Sequence, residues 1–127
     1  MKITTLKVGY LQCNCYILEI DNKVLVVDPG DEYEKIKEVI GDKEVVGVII
    51  THYHFDHIGA ADALKKKLRC PIYLHEFDRR LATDVSIDRF MSDVVVKSEL
   101  SYYKEGVQQI GAFKLNVMHT PGHTDGS

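Results

Sequence analysis

Thr51-His52-Tyr53-His54-Phe55-Asp56-His57 follows directly on an apolar, largely β-branched run over residues 45–50, and this junction decides how the chain is read. Such a run has the character of a strand buried on both faces, and a strand that ends in a loop delivers side chains to one point. If residues 51–54 continue the strand, His52 and His54 project to the same face and can share one metal ion. Asp56 and His57 lie beyond, where the chain turns into the next helix. There they are placed to bind a second ion, or to orient the ligands and water of the first. Imidazole nitrogen and carboxylate oxygen suit zinc, and also iron or manganese. With no cysteine in the cluster, a closed structural site is disfavoured. Three protein ligands and an open position are what metal-assisted hydrolysis requires.

Working outward, residues 3–8, 13–20 and 24–27 read as strands, the last two joined by a tight turn at Asp21-Asn22-Lys23. Residues 32–40 place Tyr33, Ile36, Val39 and Ile40 on one helical face, with Gly41 as the stop. A second helix is expected over residues 60–68 and a short strand over 71–75. Between 76 and 106 the pattern is weaker: a helix over 77–82, a short strand over 94–96, loop elsewhere. Residues 108–110 and 113–119 form a closing hairpin in which Phe113, Leu115, Val117 and His119 share a face. Strands lead and then alternate with helices, so the expected class is α/β, a mixed α+β sheet covered by helices.

The 127 residues suit a single domain, residues 1–127, with 45% hydrophobic and 28% charged residues, as in ordinary soluble proteins. A net charge of -3 with both signs interspersed argues against a nucleic-acid surface. The amino terminus lacks a signal-peptide pattern and no run reaches membrane-spanning length, so a cytoplasmic protein with no membrane partner is expected. Cys13, Cys15 and Cys70 are read as reduced packing residues, Cys13 and Cys15 on opposite faces of their strand. His75 is expected to make a structural hydrogen bond, and His119 to end a strand without touching metal.

Two further stretches complete the pattern: Val26-Val27-Asp28-Pro29-Gly30, and His119-Thr120-Pro121-Gly122-His123-Thr124-Asp125-Gly126-Ser127. With residues 51–59 between them, the chain resembles the metallo-β-lactamase superfamily of metal-dependent hydrolases. Its third element is similar to the thioesterase-like branch that includes hydroxyacylglutathione hydrolase (glyoxalase II). The resemblance implies the N-terminal half of an αβ/βα sandwich. It implies that His52, His54 and His123 bind a first metal and Asp56 and His57 a second, as one or two zinc ions. Asp56 would also act catalytically by orienting water, and Asp28 would hold the histidine loop without being a ligand. In the family a bridging aspartate and a further histidine follow the third element, whereas this sequence ends at Ser127. The expectation is therefore a domain incomplete at its C-terminus, truncated after the third motif, and able to form a homodimer through an exposed half-sandwich face. The implied activity is hydrolysis of a small-molecule thioester or related ester by metal-activated water. The alternatives are a mononuclear iron enzyme resembling persulfide dioxygenases, or an inactive metal-binding half-domain that dimerises.

Overall fold

β1 (Lys2–Val8), β2 (Cys13–Ile20) and β3 (Lys23–Val27) form an antiparallel meander. The β2–β3 turn is two residues long because Asp21 and Asn22 both adopt positive φ, 46° and 65°. That geometry matches strand twist, and short polar residues tolerate it. The structure, a computed structural model, describes residues 1–84 and 94–127.

After β3 the connections become crossovers. α1 (Tyr33–Ile40) leads to β4 (Glu44–Ile49), which pairs parallel to β3. α2 (Phe55–Ile58) and α3 (Ala61–Leu68) lead to β5 (Ile72–Leu74), and β6 (Leu100–Tyr102) follows, each parallel to its predecessor. The described residues thus form one six-stranded mixed sheet in sequential order, β1 to β6. A separate antiparallel hairpin is made by β7 (Gly106–Ile110) and β8 (Phe113–Val117).

Alternation along the strands sorts the core into two layers. On one face Ile17, Val24, Val26 and Val48 pack with Ile36 and Ile40 of α1 and Leu64 of α3. On the other, Leu25 packs with Ile110 and Phe113 of the hairpin, and Leu18, Val46, Ile49 and Tyr73 close around them. At Gly47 a side chain would meet Tyr73 at 3.2 Å and Leu25 at 3.3 Å, so the missing Cβ lets the hairpin seat there.

Three expectations are corrected. Cys13 and Cys15 do not face opposite ways: both are buried with Ile17 in the helix-side core, because residues two apart on a strand share a face. Residues 94–96 are not a strand. The Val96 amide donates to the Ala82 carbonyl (2.8 Å), at the end of α4 (Arg79–Thr83), and the next two amides, of Lys97 and Ser98, donate to the Asp62 carboxylate. The Val96, Lys97 and Ser98 donors thus go to a helix end and a side chain instead of a neighbouring strand. The helix expected over 77–82 is a 3₁₀ turn, Glu76–Asp78, continued by α4. The loop expected between that helix and residues 94–96 falls, over residues 85–93, outside the described residues. No helix among the described residues is long and apolar enough to cross a membrane.

Candidate metal centre

The chain leaves β4 at Ile49, and the strand does not continue through 51–54 as expected. The reason is Asp28. Its carboxylate accepts from the Thr51 amide (2.8 Å) and the Thr51 hydroxyl (2.7 Å), so the backbone bonds to a side chain where a strand neighbour would have been. Asp28 is itself buried and left-handed (φ 52°), its amide donating to the Ile49 carbonyl at 2.8 Å. The Asp28-Pro29-Gly30 corner and the histidine loop are therefore one hydrogen-bonded unit at the carboxyl ends of two parallel strands.

Within that unit His52 and His54 converge through a loop, their rings edge to face with centroids 4.9 Å apart. His123 joins them from the far end of the chain, its ring centroid 4.8 Å from His52 and 4.6 Å from His54. The potential ligand atoms of these three residues all lie within 4.8 Å of one another. A second group of ligand-type side chains sits alongside, made by Cys13, Asp56 and His57 within the same distance. The rings of His52 and His57 are 4.1 Å apart, so the two groups adjoin. The structure thus brings together all five residues singled out from the sequence, and adds Cys13. His75 and His119 stay outside the two groups. The His75 Nδ1 accepts from the Phe77 amide (3.1 Å), the His119 Nε2 donates to the Asp125 carbonyl (2.8 Å), and their rings stack at 4.3 Å.

Two supports were not legible in the sequence. Gly30 and Gly59 let the Asp-Pro-Gly corner cross α2 at backbone contact: a Cβ on Gly30 would lie 1.7 Å from the Asp56 carbonyl oxygen, and one on Gly59 would lie 2.2 Å from the Gly30 oxygen. Asp78, fully buried, accepts from the Tyr53 amide (3.0 Å), the Thr124 hydroxyl (2.7 Å) and the Gly126 amide (2.7 Å). It ties the loop carrying His52 and His54 to the loop carrying His123. The available signal was its position just after a parallel strand, at the sheet end where sites gather in such folds.

Burial lowers the His52 pKa to about 4, with His57 nearby adding to the effect, and burial followed by His123 lowers that of His54. Both therefore present neutral nitrogens at pH 7, as a metal requires. For His57 burial acts downward, but the hydrogen bonds to Asp28 (2.9 Å) and Cys13 outweigh it and lift the pKa to about 10. The linkage has two arms. His57, raised in the fold, contributes stability that is whole below about 6.5 and is lost as pH rises through about 10. His52, lowered in the fold, contributes stability present above about 6.5 and lost as pH falls through about 4. Metal-free protein in chelator should therefore melt highest near pH 6.5 and lose stability on both sides. His57→Ala should flatten the alkaline arm, and an unchanged alkaline slope in that variant would refute the assignment.

A cavity of about 280 Å³ opens over the cluster, with Leu11 and Phe55 among the histidines in its wall. A larger one of about 400 Å³ adjoins it under Tyr10, Leu11 and Phe55. The Tyr10 and Phe55 rings stack with centroids 6.1 Å apart.

The fold and this centre define a metal-dependent hydrolase scaffold, and the chain belongs to the Metallo-beta-lactamase superfamily, whose family model matches residues 8–127. It is 35% identical over 134 residues to the probable metallo-hydrolase YqgX of Bacillus subtilis, matching 100% of this chain and 64% of that protein. Hydroxyacylglutathione hydrolase GloC of Haemophilus influenzae is 30% identical over 140 residues, covering 99% of this chain and 64% of its own length. Among solved structures, the BLEG-1 B3 metallo-beta-lactamase superposes with a TM-score of 0.90 at 30% identity, over 99% of this chain and 65% of the other. The mixed α/β architecture is that of the family. The chain spans just under two thirds of the length of these proteins.

Proposed function

We propose that His52, His54 and His123 hold one zinc ion, that Asp56 and His57 hold a second, and that the centre serves hydrolysis of a small thioester. The observation that carries this reading is the convergence, within 4.8 Å, of three imidazoles from two segments far apart in sequence. The donors fit the metal: neutral nitrogens on one side, and on the other a carboxylate beside a histidine whose second nitrogen is held by Asp28. When bound, such an ion supplies Lewis acidity and lowers the pKa of a coordinated water toward about 7.

The chain's own residues do the rest. Asp28, bonded to the His57 Nδ1, fixes that ring's tautomer and points Nε2 toward Asp56, 3.4 Å away. Asp56, at the cavity wall, is placed to accept a proton from water and orient it for attack. Leu11, Phe55 and Tyr10 line an apolar slot beside the histidines that suits an acyl chain. The thioester follows from the likeness of residues 119–127 to the thioesterase-like branch and from the 30% identity to GloC. A thiolate leaves readily, so the absence of a strong acid from the cavity's described lining is no obstacle.

The test is elemental analysis of untagged protein together with turnover of an acyl-glutathione thioester and a β-lactam. Zinc retained by the wild type and lost in His52→Ala, with thioester turnover falling at least about a thousandfold in that variant, is the expected result. Protein that takes up no metal, or a His52→Ala variant that keeps both metal and activity, overturns the reading. Iron in place of zinc would move the chemistry to oxygen, and turnover of the β-lactam alone would move the substrate class.

A further inference from the structure

Two residues in the corner after β3 hold left-handed backbone without being glycine, Asp28 (φ 52°) and Glu32 (φ 57°). Such backbone persists where its surroundings over-determine it. For Asp28 the reason is the histidine loop that it holds, but Glu32 belongs to neither ligand group. Glu32 precedes α1 and its carbonyl accepts from the Ile36 amide (3.2 Å), so it stands at the N-cap, yet its side chain caps nothing. An N-cap side chain ordinarily accepts from the amides of its own helix. That of Glu32 crosses instead to the β1–β2 loop, where its Oε2 accepts from the Gly9 amide at 2.9 Å, 23 positions earlier. Asp31 steadies this pose, its Oδ1 accepting from the Glu32 amide (2.7 Å). Gly9 is the first residue past the last β1–β2 pair, Val8 with Cys13, so no strand partner takes its amide. The loop it opens closes through the Gln12 amide, which donates to the Gly9 carbonyl (3.1 Å), and carries Tyr10 and Leu11 at its tip.

We infer that Glu32 is a positioning residue: through Gly9 it sets Tyr10 and Leu11 as a wall of the slot beside the metal centre, and so favours long acyl groups over short ones. The inference rests on the thioester reading above and goes beyond it by naming what holds the acyl slot. The bond ties two walls of one cavity, Gly9, Tyr10 and Leu11 on the loop and Gly30 and Asp31 on the corner. Leu11 also lines the smaller cavity over the histidines, so the placing of this loop reaches the metal centre. Tyr10 and Leu11 are exposed, so burial does not fix them. A hydrogen bond to an ionised carboxylate is stronger than one between neutral groups, which suits it to that task. The corner thus holds two loops by two acidic residues in the same backbone state. Asp28 carries the loop of metal donors, and Glu32 the loop that meets the acyl chain. An acetyl group ends beside the donors, whereas a hexanoyl chain needs the slot.

The test compares acetyl- and hexanoyl-glutathione thioesters on wild type, Glu32→Ala and Glu32→Gln, and titrates each protein with n-hexanol by NMR, reading the Tyr10 and Leu11 amides. In Glu32→Ala the ratio of kcat/KM for the hexanoyl over the acetyl thioester should fall about fivefold or more, through KM. Hexanol affinity should fall with it. Glu32→Gln, whose amide oxygen still accepts from Gly9, should recover most of both losses. Equal losses on the two thioesters, or a Glu32→Ala variant that keeps the wild-type ratio, overturns the inference. The hexanol titration needs neither metal nor turnover, so it separates the two readings. Wild type that turns over no thioester yet binds hexanol at these amides, less tightly in Glu32→Ala, overturns the thioester reading and leaves Glu32 its role. Wild type with neither a length preference nor hexanol binding overturns the inference.

Discussion

Gly30→Ala should destabilise the protein by about 4 kcal/mol or more, lowering the melting temperature by about 10 °C or more. The added Cβ would sit 1.7 Å from the Asp56 carbonyl oxygen and 2.6 Å from its carbon. Both atoms belong to the backbone of α2, so no rotamer change relieves the overlap. The corner and the helix must separate, and the Ala60 amide then loses its 2.8 Å bond to the Pro29 carbonyl. The same displacement moves Asp56 and His57 away from the Asp28 carboxylate, so binding of the second ion should suffer beyond what stability explains. Gly41→Ala is the contrast. Nothing lies within 4 Å of a Cβ there, and only its backbone conformation, φ 62° and ψ −133°, is at stake, a cost of about 1 to 3 kcal/mol. Thermal melts of the two variants decide the matter. Equal losses would mean that the close crossing does not constrain the fold.

Asp78→Ala is the second large effect, and it separates into stability and metal affinity. Removing the carboxylate strands the Tyr53 and Gly126 amides where Asp78 is fully buried, and leaves the Thr124 hydroxyl only its bond to Ser127. Donors left unpaired in such a place cost about 1 to 3 kcal/mol each before relaxation, so a loss of about 3 to 5 kcal/mol is expected. Tyr53 stands between His52 and His54, and Thr124 follows His123, so the imidazoles lose their common anchor. Metal affinity at the three-histidine group should fall about 10- to 100-fold, measurable by competition with a chromophoric chelator. Asp78→Asn preserves shape but offers one oxygen for two sets of donors, and should fall between wild type and alanine. Thr124→Val, which removes the hydroxyl's bonds to Asp78 and to the Ser127 hydroxyl (2.7 Å each), should cost about 1 to 3 kcal/mol. Wild-type affinity in Asp78→Ala would show that the histidines are held by their own packing.

Much of this could be read along the chain. The alternation of Cys13 to Ile20, the turn at Asp21-Asn22 and the buried run ending at Ile50 are local patterns, and the corresponding strands formed where those patterns lay. The ligand types in residues 52–57 and the second histidine loop at 119–127 were visible too. The placing of Cys13 and Cys15 on opposite faces failed against a local rule, the two-residue period of a strand, and the other failures had non-local reasons. Residues 94–96 have strand-forming side chains, but their neighbours in space are a helix end and the Asp62 carboxylate. Residues 51–54 follow a strand, yet a buried aspartate 23 positions earlier took the Thr51 amide and turned the chain into a loop.

The amino-acid order alone determined most of the element types, the donor chemistry and the resemblance to metal-dependent hydrolases, because periodicity, turn residues and ligand identity are properties of short stretches. Only the tertiary structure decided which donors meet. The meeting of His54 with His123, 69 positions apart, depends on Asp78, and that of Cys13 with His57 depends on the packing of β2 against α2. A hydrogen-bond acceptor or a thiol carries no sign of its partner until sheet order and close backbone crossings bring the partner within about 3 to 4 Å.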